Sequence, residues 1–217
     1  ITFWKSIGSP KKFNLLELGA GNGEMMKVII LTIKNFPECF DNCNFQIHEK
    51  SNFLKNEQKK NLKFDNITWV DDIKKLDSNP TIFIANEFFD ALPIKQFFKK
   101  NGGWVERFVD LKKIDKPKFE DRLIDIKKIE KELNFEISKD QEIIEYSPSS
   151  FGYLKNICSI INKNDGGLLM IDYGYLNSKM QETLQAINKH KYSNVLEDIG
   201  QSDITYNINF NIFEKYI

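Results

Sequence analysis

The sequence predicts an α/β fold, a doubly wound and mostly parallel sheet with helices packed against it. Three observations predict it: short apolar runs alternate with helical stretches, glycines follow the first run directly, and acids close the later runs. Strands and helices that alternate in this way form βαβ units, whose ligands lie beyond the carboxyl ends of the strands. The 217 residues contain no Pro/Gly/Ser-rich linker, so we expect a single domain over residues 1–217.

Five apolar runs are the predicted strands of the sheet. The first leads through the turn GAGNG into the helical stretch EMMKVIILTIKNF, which Pro37 stops. The segments SNFLKNEQKKNL and SSFGYLKNICSIINK predict two further helices. The strands are expected, in chain order, at 13–18, 44–49, 66–72, 81–87 and 166–175.

An insertion is expected between the fourth and fifth strands, over about residues 94–146. Its first part, 94–111, has two apolar-alternating arms around Asn-Gly-Gly, a strong signal for a β-hairpin. The charged stretch 112–142 is expected to be helical in parts, with an exposed face. We expect the hairpin to contact a partner, and the alternative is that it only extends the edge of the sheet.

Composition and charge argue against several kinds of protein. The 31 basic and 31 acidic side chains give a formal net charge of +0, so no overall attraction to nucleic acid is expected. The longest apolar run, 28–33, is too short to span a membrane. Three cysteines without paired spacing fit a reduced intracellular protein, and Cys39, Cys43 and His48 lack a fourth ligand for a structural zinc site.

The stretch ELGAGNG is the first candidate binding site. Glycines at every second position let the backbone turn sharply and approach a ligand beside a helix N-terminus. The spacing is G-x-G-x-G, and Glu24 stands where a dinucleotide-binding loop has a small residue. An acid before the glycines suits a cationic ligand, and Glu24 opposes a pyrophosphate, so the pattern favours S-adenosylmethionine over NAD. The expected cofactor contacts in this stretch are Glu17, Gly19, Ala20, Gly21, Asn22 and Gly23.

Polar residues at the ends of the next strands complete the predicted cofactor site. Glu49 closes the second strand and is expected to accept hydrogen bonds from the ribose hydroxyls. Asp71 and Asp72 close the third strand, where the adenine amino group can donate to them. Asn86, at the end of the fourth strand, is expected to face the cofactor. For each acid alone, the alternative is an ordinary surface carboxylate at a strand end.

The chain also resembles a known family over nearly its whole length from about residue 4. The segments ELGAGNGEMM, HEKSNFLKNEQ, ITWVDD, IANEFFDALPIKQF, GGWVERFV, EYSPSS, GGLLMIDYGY and ETLQAINKHKY occur in the order found in the MidA-like proteins. These are class I S-adenosylmethionine-dependent methyltransferases with a Rossmann-like sheet, and the resemblance implies this fold and cofactor here. The family has Pro, Arg and Thr where this chain has Ala20, Asn22 and Glu24. Family segments before and after the matched region have no counterpart, so both termini are expected to be incomplete.

The resemblance implies a function as well. Mitochondrial members of the family are protein-arginine N-methyltransferases that form symmetric dimethylarginine on a core subunit of respiratory complex I during its assembly. Such a subunit is the expected partner and substrate, and Glu87 and Asp90 are the expected catalytic acids. They would pair with two guanidinium nitrogens, while Phe88 and Phe89 wall the site. The alternative is that either acid caps a following helix and that both phenylalanines are core residues.

Several alternatives stay open at this point. The enzyme could instead methylate a small molecule or a nucleic acid, or the chain could be a non-catalytic assembly factor that keeps the cofactor fold. Glu145 and Ser147 are expected near the same edge of the sheet, although Ser147 or Ser149 is more simply a helix N-cap. His190 is a candidate general base, but a lone histidine is more often structural. We expect a cytoplasmic protein if the source is bacterial and a mitochondrial matrix protein otherwise, and the sequence does not predict the oligomeric state.

Overall fold

The chain forms two compact units in the computed structural model, which describes residues 1–112, 117–189, 191–197 and 199–217. The first unit consists of Ile1–Phe88 and Tyr153–Asp172, and the second of Phe89–Gly152 and Tyr173–Ile217. The α-helices are α1 (Thr2–Ser6), α2 (Glu24–Ile33), α3 (Pro37–Phe40), α4 (Asn52–Asn61), α5 (Ile126–Leu133), α6 (Pro148–Asn164) and α7 (Phe210–Tyr216). None of the helices in these ranges is long and apolar enough to cross a membrane.

The strands belong to four sheets. A short 3₁₀ helix, Ile73–Lys75, follows the third strand. The strands are β1 (Phe13–Leu18), β2 (Cys43–His48), β3 (Ile67–Trp69), β4 (Thr81–Asn86), β5 (Lys95–Lys100), β6 (Gly103–Asp110), β7 (Lys118–Ile124), β8 (Ile143–Tyr146), β9 (Gly166–Ile171), β10 (Gly174–Tyr175), β11 (Gln185–Asn188), β12 (Lys191–Ser193), β13 (Asp203–Thr205) and β14 (Ile208–Asn209).

The first unit is built on a five-stranded parallel sheet in the order β3-β2-β1-β4-β9. The predicted α/β fold with a mostly parallel sheet is therefore confirmed. All six residues of β1 are buried, including the polar Asn14 and Glu17, as expected for a central strand of a parallel sheet that helices cover on both faces. The strand order reverses between β1 and β4, which is where open α/β sheets bind their ligands.

The predicted hairpin is present in the second unit. β5 and β6 are antiparallel, and the two residues that join them, Asn101 and Gly102, have φ values of 49° and 77°. Positive φ at both loop positions is the requirement of a type I′ turn, which Asn-Gly meets at low cost. β7 and β8 extend the hairpin to an antiparallel sheet in the order β7-β6-β5-β8.

The expectation for the charged stretch 112–142 is only partly right. α5 is helical as expected, but Lys118–Ile124 forms β7 instead. The strand carries Phe119 and Leu123 among charged neighbours, and these side chains are 38% and 82% exposed. β7 is an edge strand of its sheet, so its side chains need not be apolar. Its many charged residues hid the alternation of apolar and polar residues that predicts a strand. Residues 113–116 of this stretch lie outside the described ranges.

Glu145, on β8, is a structural carboxylate of the second unit. It is 7% exposed, and one oxygen accepts from Gln96 Nε2 at 2.8 Å and from the Leu184 N–H at 3.2 Å. The other oxygen accepts from the N–H and the hydroxyl of Thr183. Burial raises the pKa of Glu145, and these donors lower it in part. The acid therefore ties β5 and the segment before β11 to β8.

Replacing Glu145 by alanine is expected to lower the free energy of unfolding by roughly 2 kcal/mol, because buried N–H groups lose their acceptor. Denaturant unfolding at pH 7 measures the change. Glu142→Ala is the matched control, since that exposed acid pairs only with the ammonium of Lys99 within the described residues. An equal effect of the two substitutions would contradict the structural role of Glu145.

Candidate functional site

The candidate site lies at the carboxyl ends of the parallel strands in the first unit. The glycine-rich segment follows β1, Glu49 follows β2, Asp71 and Asp72 follow β3 by a few residues, and Asn86 is the last residue of β4. The sheet therefore brings the strand ends that carry the predicted cofactor residues of this unit to one edge.

The glycine loop is closely packed except at its middle. Gly19, Gly21 and Gly23 all have positive φ, at 64°, 53° and 89°. A Cβ at Gly19 would lie 2.7 Å from the Phe88 ring, and one at Gly23 would lie 2.9 Å from Leu62. A Cβ at Gly21 would meet no atom of the described chain within 4 Å. The loop thus rests on the protein at both ends and leaves Gly21 open to a ligand.

The other two loop residues differ in exposure. Ala20 is buried and its carbonyl accepts from the Gly23 N–H at 2.7 Å. Asn22 is exposed, and its Oδ1 accepts from the Glu24 N–H at 3.2 Å at the start of α2. An Asn side chain that binds a first-turn N–H in this way satisfies one of the free donors of the helix.

Glu17 is an unusually buried acid at the end of β1, with 2% of its surface exposed. Burial raises the pKa of Glu17 to about 7, although a hydrogen bond from the Met26 N–H lowers it in part. Its Oε2 atom is buried and has no hydrogen-bond partner in the described part of the chain. Glu17 therefore has an unused acceptor atom next to the start of the glycine loop.

Glu49 is held at both carboxylate oxygens. Oε1 accepts from the Ser51 N–H at 2.8 Å, and Oε2 accepts from Gln58 Nε2 at 3.3 Å. The side chain is 8% exposed. A carboxylate has about four acceptor positions, so Glu49 keeps capacity for a ligand in a fixed orientation. The sequence did not indicate the contact with Gln58.

Asp71 and Asp72 are engaged with their own neighbours. Asp71 accepts from Lys55 Nζ at 2.6 Å, and this ammonium lowers the pKa of Asp71. Asp72 caps the 3₁₀ helix by accepting from the Lys74 N–H at 3.0 Å. Both acids line a cavity of about 200 Å³. Their contact with an adenine stays a prediction. The other residues that line the cavity are His48, Lys50, Ile73, Tyr153 and Asn156.

Asn86 and Glu87 lie where β4 ends. Asn86 is half-buried, and the exposed Glu87 has a φ of 46° while its N–H donates to the Ile171 carbonyl at 2.9 Å. A non-glycine residue in this left-handed region carries backbone strain, which is common at functional sites. Strain at Glu87 in this position is consistent with its predicted role at the substrate.

Phe88 rests against a histidine–tyrosine pair that the sequence did not reveal. Its ring makes an edge contact with Tyr153, with centroids 5.1 Å apart. The Tyr153 hydroxyl lies 2.7 Å from His48 Nε2, and His48 Nδ1 lies 2.8 Å from the Val70 carbonyl. These contacts support the Phe88 ring, against which Gly19 packs.

Two further candidates belong to the second unit. Asp90 is buried at 5% exposure, and its carbonyl accepts from the Tyr206 N–H at 3.4 Å. Phe89 is fully buried and contacts Phe213, so it is a core residue as the alternative interpretation expected. The helix-cap alternative is wrong, because β5 is the next regular element after both acids.

Ser147 and the cysteines, two further candidates from the sequence, do not add to the site. Ser147 Oγ accepts from the Ser150 N–H at 3.1 Å, so it is the N-cap of α6 as expected. Cys39 and Cys43 are buried free thiols, and no group of three or more metal-binding side chains occurs in the described ranges. His190 lies outside the described residues.

Comparison with known sequences identifies the family. A family model for S-adenosyl-L-methionine-dependent methyltransferases matches residues 1–217. The chain belongs to this family. The predicted family resemblance is therefore confirmed.

Named relatives of this methyltransferase-family chain include mitochondrial proteins. The protein arginine methyltransferase NDUFAF7 of Xenopus laevis is 28% identical over 245 residues, which cover 100% of this chain and 55% of that protein. The human protein of the same name is 25% identical over 242 residues, with 99% and 54% covered. The chain thus spans about half the length of these relatives.

Two crystal structures from Burkholderia thailandensis share the fold. Their TM-scores are 0.77 and 0.76, each at 19% identity and covering 99% of this chain. The alignments cover 59% and 57% of those two chains, and the second is bound to S-adenosyl-homocysteine. At this identity the likeness shows the fold, which agrees with the five-stranded parallel sheet.

Proposed function

We propose that this chain binds S-adenosylmethionine and is a protein-arginine N-methyltransferase. The observation that carries the proposal is Glu49, a fixed and nearly buried carboxylate at the same sheet edge as the open Gly21. Family membership and the names of the NDUFAF7 relatives support it. A core subunit of respiratory complex I is the proposed substrate, on the resemblance alone. The cytoplasm of a bacterium or the mitochondrial matrix is the proposed location.

The residues of the first unit fit this cofactor. Glu49 would accept from the ribose hydroxyls, and Gly21 would let the backbone pass close to the ligand. The buried Glu17 Oε2 atom is an acceptor that suits the ammonium of the methionine part. Asn86 would lie along the cofactor at the end of β4. When bound, S-adenosylmethionine supplies an electrophilic methyl group on a sulfonium.

The chain's own contribution to methyl transfer is mainly alignment of the groups that react. An arginine nucleophile stays protonated, and its nitrogen lone pairs are delocalised over the guanidinium. Carboxylates beside two of its nitrogens would hold the guanidinium plane and attract its positive charge. Glu87 and Asp90 are the proposed carboxylates, and the strained backbone of Glu87 supports its part in this role.

Glu87→Gln is expected to lower the rate of arginine methylation at least about tenfold with little change in stability, because it removes the charge that orients the guanidinium. Glu87→Gly is expected to lower the rate too, yet to raise stability by about 1 kcal/mol, because glycine relieves the positive-φ strain. The assay is mass spectrometry of a complex I core subunit incubated with the chain and S-adenosylmethionine, alongside thermal unfolding.

The control for this experiment is Glu38→Gln, a change of an exposed acid on α3. A mass gain on arginine with the unchanged chain and with Glu38→Gln, but not with Glu87→Gln, supports the proposal. Cofactor binding without any methylation of the subunit would instead indicate a holding role or another substrate. Full activity of Glu87→Gln would remove Glu87 from the catalytic assignment.

A further inference from the structure

Gln58 is a buried amide that contacts both parts of the candidate cofactor site. It lies on α4 and is 0% exposed. Its Nε2 atom donates to the Gly21 carbonyl at 2.9 Å and to Glu49 Oε2 at 3.3 Å. Its Oε1 atom accepts from Trp69 Nε1 at 2.8 Å. One side chain thus links the loop after β1, the acid after β2 and the strand β3.

The chemistry of the partners fixes the orientation of this amide. The Trp69 indole N–H can only donate, so it must face the carbonyl oxygen of Gln58. The Gly21 carbonyl and the Glu49 carboxylate oxygen accept from this side chain, so they must face the amide nitrogen. Turning the amide over would break all three hydrogen bonds at once. The side chain is therefore locked in one arrangement.

The rest of α4 supports the same contact. Asn61, one turn further along, donates from Nδ2 to the Asn22 carbonyl at 3.0 Å. Leu62, directly after the helix, lies so close to Gly23 that an added Cβ would come within 2.9 Å. At the other end of the helix, Ser51 caps α4 and also donates its N–H to Glu49. The helix thus carries the contacts that hold the loop and the acid.

We propose that Gln58 is a positioning residue for the cofactor: it holds the Glu49 carboxylate and the Gly21 peptide at the spacing that the ligand requires. This inference rests on the proposed function, since it concerns the same site. Gln58 itself donates both of its amide hydrogens to the protein, so its effect on the ligand passes through Glu49 and the loop.

The test is calorimetric titration of S-adenosylhomocysteine into the chain and into two variants at pH 8. Gln58→Glu keeps the shape and the acceptor for Trp69 but removes both donated hydrogen bonds, so affinity is expected to fall about tenfold. Trp69→Phe removes the hydrogen bond from Trp69 to Gln58 and leaves the two that Gln58 donates to Gly21 and Glu49, so affinity is expected to stay within about threefold. Thermal unfolding of each variant reports any separate loss of stability.

The pH dependence separates positioning from packing. The carboxyl introduced by Gln58→Glu regains a donor when it is protonated, so the ratio of parent to variant affinity should shrink between pH 8 and pH 5. Gln58→Met, which fills the same space without polar contacts, should show at least the same loss at pH 8 and no such recovery. It also provides the test if Gln58→Glu does not fold.

Two results would overturn the inference. One is unchanged affinity in Gln58→Glu or Gln58→Met while the parent chain binds, and the other is an equal loss in Trp69→Phe. If the parent chain itself does not bind S-adenosylhomocysteine, the proposed cofactor site fails, and the role of Gln58 fails with it.

Discussion

Glu49→Ala is expected to weaken the binding of S-adenosylhomocysteine at least roughly 100-fold, because hydrogen bonds to a charged group contribute about 1.5–3 kcal/mol each and two ribose hydroxyls are expected to donate to it. Glu49→Gln keeps the shape of the side chain but loses the charge and one acceptor atom, so its loss should be intermediate. Calorimetric titration at pH 8 measures both affinities.

The matched control for Glu49 is Glu57→Ala, which removes another acid from the same part of the first unit. Glu57 pairs with Lys60 at 2.6 Å on α4 and is not among the predicted cofactor contacts. Its substitution should leave the affinity unchanged. Glu49→Ala also leaves the Ser51 N–H and Gln58 without their acceptor, so thermal unfolding must accompany the titration. Equal affinities of the parent chain and folded Glu49→Ala would contradict the ribose assignment.

Glu17 is expected to link stability and cofactor affinity to pH. Burial raises its pKa from 4.5 to about 7, so between these values the folded chain keeps a proton that the unfolded chain loses. Stability therefore falls as the pH rises through this range, by up to roughly 3 kcal/mol, and stays level above it. An ammonium placed beside Glu17 favours the ionised acid, so ligand binding should release a proton below pH 7 and strengthen towards pH 8.

Glu17→Gln separates the two consequences. The variant should be more stable than the parent chain at pH 8 by up to roughly 3 kcal/mol, since no charge is buried, yet it should bind S-adenosylhomocysteine more weakly. At pH 4 the two chains should be about equally stable. Denaturant unfolding from pH 4 to 8 gives the stabilities, and titration in buffers of different ionisation enthalpy counts the released protons. If the difference in stability between the parent chain and Glu17→Gln does not vary with pH, the assignment of the raised pKa to Glu17 is refuted.

The fold was predictable where one local signal dominates. The buried run of β1 ends at a glycine turn, and Asn101-Gly102 specifies its hairpin by backbone geometry alone. β7 was not predictable in this way, because an edge strand tolerates charges on both faces. The single domain over residues 1–217 stays a prediction. The structure divides into two compact units, and no linker-like composition in the sequence indicates the boundaries between them.

The candidate site was predictable from the sequence only where a short local motif carries it. The glycine loop and Glu49 lie within short motifs whose spacing carries the signal. Gln58 reaches Gly21 across 37 positions of the chain, and Tyr153 reaches His48 across 105. Contacts of this kind depend on how helices pack on the sheet, so no local pattern records them. The strain at Glu87 is likewise a property of the folded backbone.

The most direct test of the account is amide hydrogen exchange of the chain with and without S-adenosylhomocysteine, read by mass spectrometry. Bound ligand should slow exchange in the glycine loop, residues 19–24, and around Glu49–Ser51, because these backbone groups are expected to line the cofactor. Peptides from the hairpin of β5 and β6 should exchange as before. Slowed exchange only outside the loop and the Glu49 segment, or no change at a saturating ligand concentration, would contradict the proposed cofactor site.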